Sequence, residues 1–152
     1  MAPILGYYDN MLSSGDEFAL LVADVYELAG ALRQSGESLA AKEGQTQARW
    51  QLLNAVSGDG LPVPAAARRL GVTRQAVQRV ANDLVSEGLA DFTANPGHRT
   101  SPVLGLTSKG RVALAAMNRR AGAANQRAAD RVGADTVTAM RAGIQEILAA
   151  LG

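Results

Sequence analysis

The residues best suited to chemistry lie between positions 68 and 82 of the 152-residue chain. From Arg68 to Arg79 there are four arginines and no acidic residue, and the same stretch and the residues just after it supply side-chain amides at Gln75, Gln78 and Asn82. A guanidinium group donates paired hydrogen bonds to guanine or phosphate, and a side-chain amide pairs with adenine. These types therefore indicate binding to a polyanion. A run of arginines is also typical of a solvated helix face, so this stretch alone leaves both interpretations open.

Other kinds of site are poorly supported. The chain has no cysteine and a single histidine, His98, which excludes disulfides, thiol redox chemistry and Cys/His zinc sites. No nucleophile elbow, phosphate-binding loop or dinucleotide glycine motif is present. A Ser-His-Asp site would have to use His98, in a turn-rich segment where water access and mobility oppose catalysis. We therefore expect no enzyme activity, no cofactor and no metal.

Charge is distributed unevenly along the chain. Residues 1–61 carry 3 basic and 8 acidic side chains, whereas residues 62–111 carry 7 basic and 3 acidic ones. An acidic arm thus precedes a basic middle segment, which favours a polyanionic partner for the middle. No apolar run approaches the ~20 residues of a membrane span, and the N-terminus has no basic leader, so we expect a cytoplasmic protein that does not contact membranes.

The elements that position these residues follow from apolar spacing and turn residues. The hydrophobic fraction is 47% and only 4% of residues are aromatic, which favours closely packed helices. Apolar residues at helical spacing predict helices at about 16–42, 46–57, 64–70, 74–87, 108–131 and 135–151. The residues predicted to bound them are the capping pair Ser14 and Glu17, the N-caps Thr46, Thr73 and Thr107, and the glycines Gly58, Gly60, Gly71, Gly88 and Gly133.

Two of these helices form a helix-turn-helix. The short helix ending at Leu70 and the helix beginning at Arg74 are joined by a tight connection in which Gly71 permits the turn. Val77 packs back on the first helix, so the amide-rich outer face of the second helix can enter a DNA major groove. Next come two short β-compatible runs at 89–94 and 103–106, separated by a polar, turn-rich tip. We expect a two-stranded hairpin, which makes the unit a winged helix.

At this point the sequence resembles the MarR family of bacterial transcriptional regulators. The matching residues, in order along about half of the chain, are Thr46-Gln47, Ala67 to Val77, Leu84 to Leu89, Asn95-Pro96, Arg99, Leu106-Thr107 and Lys109-Gly110. The resemblance implies a mainly α fold, in which a winged helix-turn-helix with a hairpin wing is flanked by N- and C-terminal helices that form a dimerisation bundle. The wing departs from the family pattern, because His98-Arg99-Thr100 stands where an Asp-Arg pair is usual.

The predicted organisation is one continuous domain with three parts. Residues 1–45 are the N-terminal arm and dimerisation helix, residues 46–110 the DNA-binding region, and residues 111–152 the C-terminal dimerisation helices. The expected partners are double-stranded DNA, a second copy of the chain and a small organic effector. The expected function is that of a sequence-specific regulator, a repressor that binds a near-palindromic operator as a homodimer.

Each role is assigned to particular residues. The DNA-binding candidates are Thr73, Arg74, Gln75, Gln78, Arg79, Asn82, His98, Arg99 and Lys109. The ligand-pocket candidates are Tyr26, Trp50 and Met117. The dimer-interface candidates are Phe18, Leu21, Val25, Val137, Met140, Ile144, Ile147 and Leu151.

Several alternatives remain open on the sequence alone. A winged helix can also serve as a protein-interaction or assembly module that contacts no nucleic acid. Such an interface would favour apolar anchors where the second helix carries Gln75, Gln78 and Arg79. His98 is either a phosphate contact or an exposed loop histidine without a role, and the three pocket candidates are either ligand contacts or ordinary core residues.

Overall fold

The computed structural model describes residues 12–152 of the chain. In this part the elements follow in the order α1 (Ser14–Ala41), α2 (Gln47–Ala55), β1 (Leu61–Pro62), α3 (Val63–Leu70), α4 (Arg74–Ser86), β2 (Ala90–Thr93), β3 (Val103–Leu106), α5 (Ser108–Val132) and α6 (Ala134–Leu151). The described residues divide into two compact units, 12–38 and Leu39–Gly152. The mainly helical architecture with a hairpin matches the fold predicted from the sequence.

The first unit contains most of α1, which begins two residues before the predicted start and whose capping pair is shifted by one residue. The capping pair is Ser13 and Asp16 and does not involve Ser14 and Glu17. The Ser13 hydroxyl accepts a hydrogen bond from the Asp16 amide at 3.2 Å, and the Asp16 carboxylate accepts one from the Ser13 amide at 2.9 Å. This is the same reciprocal cap in the preceding register, since the sequence offers a serine at both positions and an acid three residues after each.

The second unit contains a small antiparallel sheet in the order β1-β3-β2. The predicted hairpin is its β2-β3 part, with Ala90 opposite Leu106 and Thr93 opposite Val103. The sequence does not predict strand β1, because two residues that include a proline carry no periodic signal. A glycine allows it to lie so close, since a Cβ at Gly60 would be 2.7 Å from the Leu104 carbonyl oxygen.

The core of the second unit lies between the helices of the winged helix and the sheet. Apolar side chains from α2, α3, α4, β3 and α5 meet there, and Leu53, Leu84, Leu104 and Met117 are fully buried. Leu84 and Met117 come from helices that also carry polar residues on their outer faces. The core therefore fixes which face of α4 is turned outward.

Candidate nucleic-acid interface

The turn between α3 and α4 has the geometry that the sequence predicts. Gly71 adopts a left-handed conformation, with φ 66° and ψ 32°, and closes α3. The Val72 amide donates to the Ala67 carbonyl at 3.1 Å, which completes the helix end. The Thr73 hydroxyl accepts a hydrogen bond from the Ala76 amide at 3.1 Å and so caps α4. Both ends of the connection are thus fixed by local hydrogen bonds.

Helix α4 has one buried and one exposed face. Val77, Ala81 and Leu84 are buried against the core. The outward side, which we call the recognition face, consists of exposed residues: Arg74, Gln75, Gln78, Arg79 and Asn82. Its side chains are hydrogen-bond donors and acceptors of the kind that read base edges in a major groove.

Two amides of the recognition face are linked. The Gln78 side-chain amide donates to the Asn82 side-chain oxygen at 2.9 Å, one helical turn away. This bond leaves the amide oxygen of Gln78 and the amide nitrogen of Asn82 available to a ligand. The pair therefore presents an acceptor and a donor in a fixed relation.

The tip of the wing is organised by Asn95. Its side-chain oxygen accepts a hydrogen bond from the Gly97 amide at 3.1 Å, and its amide nitrogen donates to the Ser101 carbonyl at 3.1 Å. His98 and Arg99 lie within the loop that these bonds close, and both side chains are exposed. Among the described residues the Arg99 guanidinium forms no ion pair. The wing thus holds a free cation at its tip.

Lys109 has a contact that the sequence did not predict. Its ammonium group donates to the Glu87 carbonyl oxygen at the end of α4, at 2.8 Å. Nearby, the Thr107 hydroxyl donates to the Gly88 carbonyl at 2.7 Å and accepts from the Gly110 amide at 3.0 Å. These bonds join the start of α5 to the end of α4. Lys109 remains exposed, so its predicted phosphate contact stays a prediction beside this structural role.

A groove of about 500 Å³ separates the recognition face from the wing. Its lining residues are Val63, Pro64, Arg74, Gln75, Gln78, Phe92, Thr100, Ser101 and Pro102. Its lining combines apolar side chains from α3 and the wing with hydrogen-bond donors from α4, and none of its lining residues is acidic. The helix and the wing can therefore both face one elongated anionic ligand.

Sequence reasoning missed Arg49 of α2. Its guanidinium lies 2.7 Å from a carboxylate oxygen of Glu87 and 3.8 Å from one of Asp83. Asp83 lies in the last turns of α4 and Glu87 directly follows the helix, and neither belongs to the recognition face. A signal existed in the sequence, since Asp83 and Glu87 are one turn apart and share a helix side. Nothing in the sequence indicated which cation would approach them.

The three ligand-pocket candidates are not brought to the groove. Met117 is fully buried in the core, and the indole nitrogen of Trp50 donates to the Asn118 side-chain oxygen at 2.8 Å. Tyr26 belongs to the first unit and is 76% exposed. Trp50 and Met117 thus have packing and bonding roles, and their contact with a ligand stays a prediction.

The dimer-interface candidates lie on exposed apolar surfaces. Helix α6 has no buried residue, and Val137, Met140, Ile144 and Leu151 are exposed while Ile147 is half-buried. On α1, Phe18, Leu21 and Val25 are 39 to 45% exposed. Sequence reasoning missed Leu148, which is 58% exposed on α6.

Residues 12–152 lack two further kinds of site. No helix there is both long and apolar enough to cross a membrane. No group of three or more histidine, cysteine or acidic side chains in that range is placed to hold a metal ion.

Comparison with known proteins identifies the family. The sequence model of the MarR family matches residues 44–99, which include α2, α3, α4, β2 and the tip as far as Arg99. The chain belongs to the MarR family. It is also 60% identical over 136 residues to the uncharacterized protein Rv2011c of Mycobacterium tuberculosis, an alignment that covers 90% of this chain and 95% of the relative. The MarR family consists of transcription regulators with a winged-helix DNA-binding fold, and not of enzymes.

Solved structures show the same fold. The regulator BldR from Sulfolobus solfataricus superposes with a TM-score of 0.81 at 19% identity, over 91% of this chain and 99% of BldR. The transcriptional repressor CouR bound to a 23-mer DNA duplex gives a TM-score of 0.76 at 24% identity, over 91% of this chain and 99% of CouR. CouR from Rhodococcus jostii bound to p-coumaroyl-CoA gives 0.70 at 20% identity, over 89% and 94% of the two chains.

Proposed function

We propose that this MarR-family protein is a cytoplasmic repressor that binds a near-palindromic operator as a homodimer. The observation that carries the proposal is the recognition face, which is exposed, free of acidic side chains and held outward by a buried opposite face. The wing adds the guanidinium of Arg99, which forms no ion pair within residues 12–152 and suits the narrow and strongly negative minor groove of A·T-rich DNA. A groove of about 500 Å³ lies between them, and we propose that the backbone of the duplex runs along it.

The proposed dimer uses the exposed apolar residues of the terminal helices. Along α6, Val137, Met140, Ile144, Ile147 and Leu151 recur every three or four residues, which places them on one side of the helix. Surfaces of this kind are typically covered by a partner. A two-fold dimer presents two recognition faces, so the operator should have half-sites about one helical turn apart.

The proposed effector is a small organic molecule that releases the operator. The support is CouR, which shares the fold and is described both with a DNA duplex and with p-coumaroyl-CoA. Within the second unit, the pocket is proposed to include Trp50 and Met117. Since Met117 is fully buried, a ligand can reach it only if the core opens locally.

The experiment that tests DNA binding is selection of a duplex from a random library by the wild-type protein. Gln78→Ala and Arg79→Ala should each lose about 1–3 kcal/mol on the selected duplex and relax the preference at particular base pairs. Arg99→Ala should weaken binding to all duplexes and reduce the salt slope by roughly one unit, because the wing guanidinium is attracted by the negative potential of the phosphates and makes no proposed hydrogen bond to a base edge.

The matched control is Arg119→Ala, which removes one exposed arginine from α5 and should leave the preference unchanged. An unchanged preference in the Gln78 and Arg79 variants would remove both residues from base readout. If the wild type selects no duplex even in dilute buffer, DNA binding itself is refuted. Once a duplex is selected, aromatic acids and other lipophilic compounds can be screened for its release.

A further inference from the structure

Arg49 contacts the end of α4 from α2, which lies outside the helix-turn-helix. It lies in the first turn of α2, and its amide donates to the capping hydroxyl of Thr46 at 3.3 Å. Its side chain is 20% exposed, whereas those of Asp83 and Glu87 are 52% and 41% exposed. The guanidinium is therefore the more buried partner, and it is fixed to α2 while it holds both acids.

Asp83 and Glu87 are the acidic side chains that could compete with DNA for the arginines of the recognition face. Asp83 and Glu87 are the only acidic residues between positions 74 and 87, and together they balance the charges of Arg74 and Arg79. Asp83 also lies four residues after Arg79, a spacing at which opposite charges meet on a helix surface. Yet among the described residues Arg79 forms no ion pair, and Asp83 faces Arg49 instead.

We propose that Arg49 is a positioning residue of the DNA-binding surface. By holding Asp83 and Glu87 it keeps Asp83 away from Arg79, so that the Arg79 guanidinium stays available to DNA. It also supplies the positive charge that makes this side of the molecule attractive to phosphates. The inference rests on the proposed function, and it adds a residue of α2 that does not itself contact the bases.

The test compares the two sides of the ion pair. Removing the cation with Arg49→Ala should weaken binding to a labelled duplex selected from a random library, on the order of tenfold at low salt, and added salt should shrink the deficit. Removing the acids with Asp83→Asn and Glu87→Gln together should leave binding at least as tight as in the wild type. The triple variant should bind like this double variant, because the competing acids are gone.

A merely structural ion pair predicts a different pattern. Both the Arg49→Ala variant and the double variant break the same bonds, so both would then bind DNA more weakly, and that result would overturn the proposal. Arg49→Lys keeps the charge and should retain most of the affinity. The double variant decides the matter even where Arg49→Ala fails to fold, since weaker binding by it contradicts the proposal.

The matched control is Arg120→Ala on α5. It removes the same charge, but the partner of Arg120 is Glu43, which lies before α2 and not on α4. Its DNA affinity should stay within about twofold of the wild type. If the wild type binds duplexes while Arg49→Ala binds equally well, this inference fails alone. If the wild type binds no duplex, the proposed function fails and the inference with it.

Discussion

The winged helix and the last helix, α6, differ in how far their apolar side chains are buried. In the winged helix the large apolar side chains of α2, α4 and β3 are buried or half-buried, and Leu53, Leu84 and Leu104 are inaccessible to solvent. Helix α6 contains no buried residue, although its Met140 and Ile144 are as apolar as those of the core. One region completes its core within the chain, whereas the other leaves its apolar side uncovered. This difference is the reason why we propose that α6 packs against another molecule.

The N-terminal caps of α6 and of three winged-helix elements also differ, although α3 of the winged helix has no side-chain cap either. Helices α2, α4 and α5 each begin with a threonine whose hydroxyl accepts a backbone hydrogen bond. Helix α6 begins after Gly133 without a side-chain cap. Since its start has no side-chain cap and none of its residues is fully buried, we expect α6 to be less stable in a single chain than the capped helices. Its stability is therefore expected to depend on assembly.

The largest effect is expected from Ile144→Asp on α6. It places a charge in the proposed α6 interface, and an unpaired buried charge costs about 3–5 kcal/mol. We expect dissociation to monomers in sedimentation equilibrium and loss of tight operator binding. Ala142→Asp is the control, because it puts the same charge on the opposite side of α6. A wild-type protein that sediments as a monomer at micromolar concentration would refute the dimer.

Leu84→Ala tests the core of the winged helix, which is completed within the chain. Leu84 is fully buried, so truncation leaves a cavity in the core and should lower the free energy of unfolding by about 2–5 kcal/mol. Urea denaturation measures this loss. The control is Val112→Ala on α5, where the side chain is 70% exposed. It should change stability by less than about 0.5 kcal/mol, and equal losses in the two variants would contradict the assignment of the core.

The features that sequence reasoning predicted correctly depend on neighbours in the chain. The caps Thr46, Thr73 and Thr107 and the left-handed Gly71 all satisfy groups within about four residues. The buried side of α4 follows from the spacing of Val77, Ala81 and Leu84. Such signals are local, and a single sequence contains them in full.

Apart from the one-residue shift of the α1 cap, the features that sequence reasoning missed depend on distant parts of the chain. Arg49 meets Asp83 and Glu87 from another helix, and Lys109 reaches the Glu87 carbonyl across 22 positions. Strand β1 exists only because β3 lies beside it. For the candidate interface, the exposed residues of α4 and the wing could therefore be named in advance, while the contacts that hold them could not.

Thr107→Ala should lower the free energy of unfolding more than the loss of a simple cap, because its hydroxyl bonds to two helix ends. Its hydroxyl caps α5 and also donates to the Gly88 carbonyl, so its loss leaves groups at the ends of two helices without a partner. We expect a loss of about 1–2 kcal/mol in thermal or urea unfolding, at the upper end for a cap. Thr46→Ala is the control, since that hydroxyl has the capping bond to the Arg49 amide and should cost less. An equal cost would mean that the bond to Gly88 adds nothing.

The smallest effect concerns the start of α1, which is fixed locally in contrast to the start of α6. Hydrogen bonds from the hydroxyl and then the amide of Ser13 hold the pKa of the Asp16 carboxyl below its ordinary value of 3.8. Because these bonds are absent in the unfolded chain, the carboxylate stabilises the folded state above pH 3.8, and this contribution is lost as the pH falls through the lower, folded pKa.

An NMR titration of the Asp16 carboxyl carbon measures this directly. The Ser13→Ala variant should move the pKa of Asp16 upward, since only the amide of residue 13 then remains as a donor. Titration of Asp16 at its ordinary value in the wild type would show that the Ser13 cap does not form in solution. The pKa of Asp16 should also stay lowered in the Ile144→Asp variant, in which the proposed dimer is dissociated. That result would show that α1 begins at Ser14 without a partner chain, because the capping bonds lie within one chain.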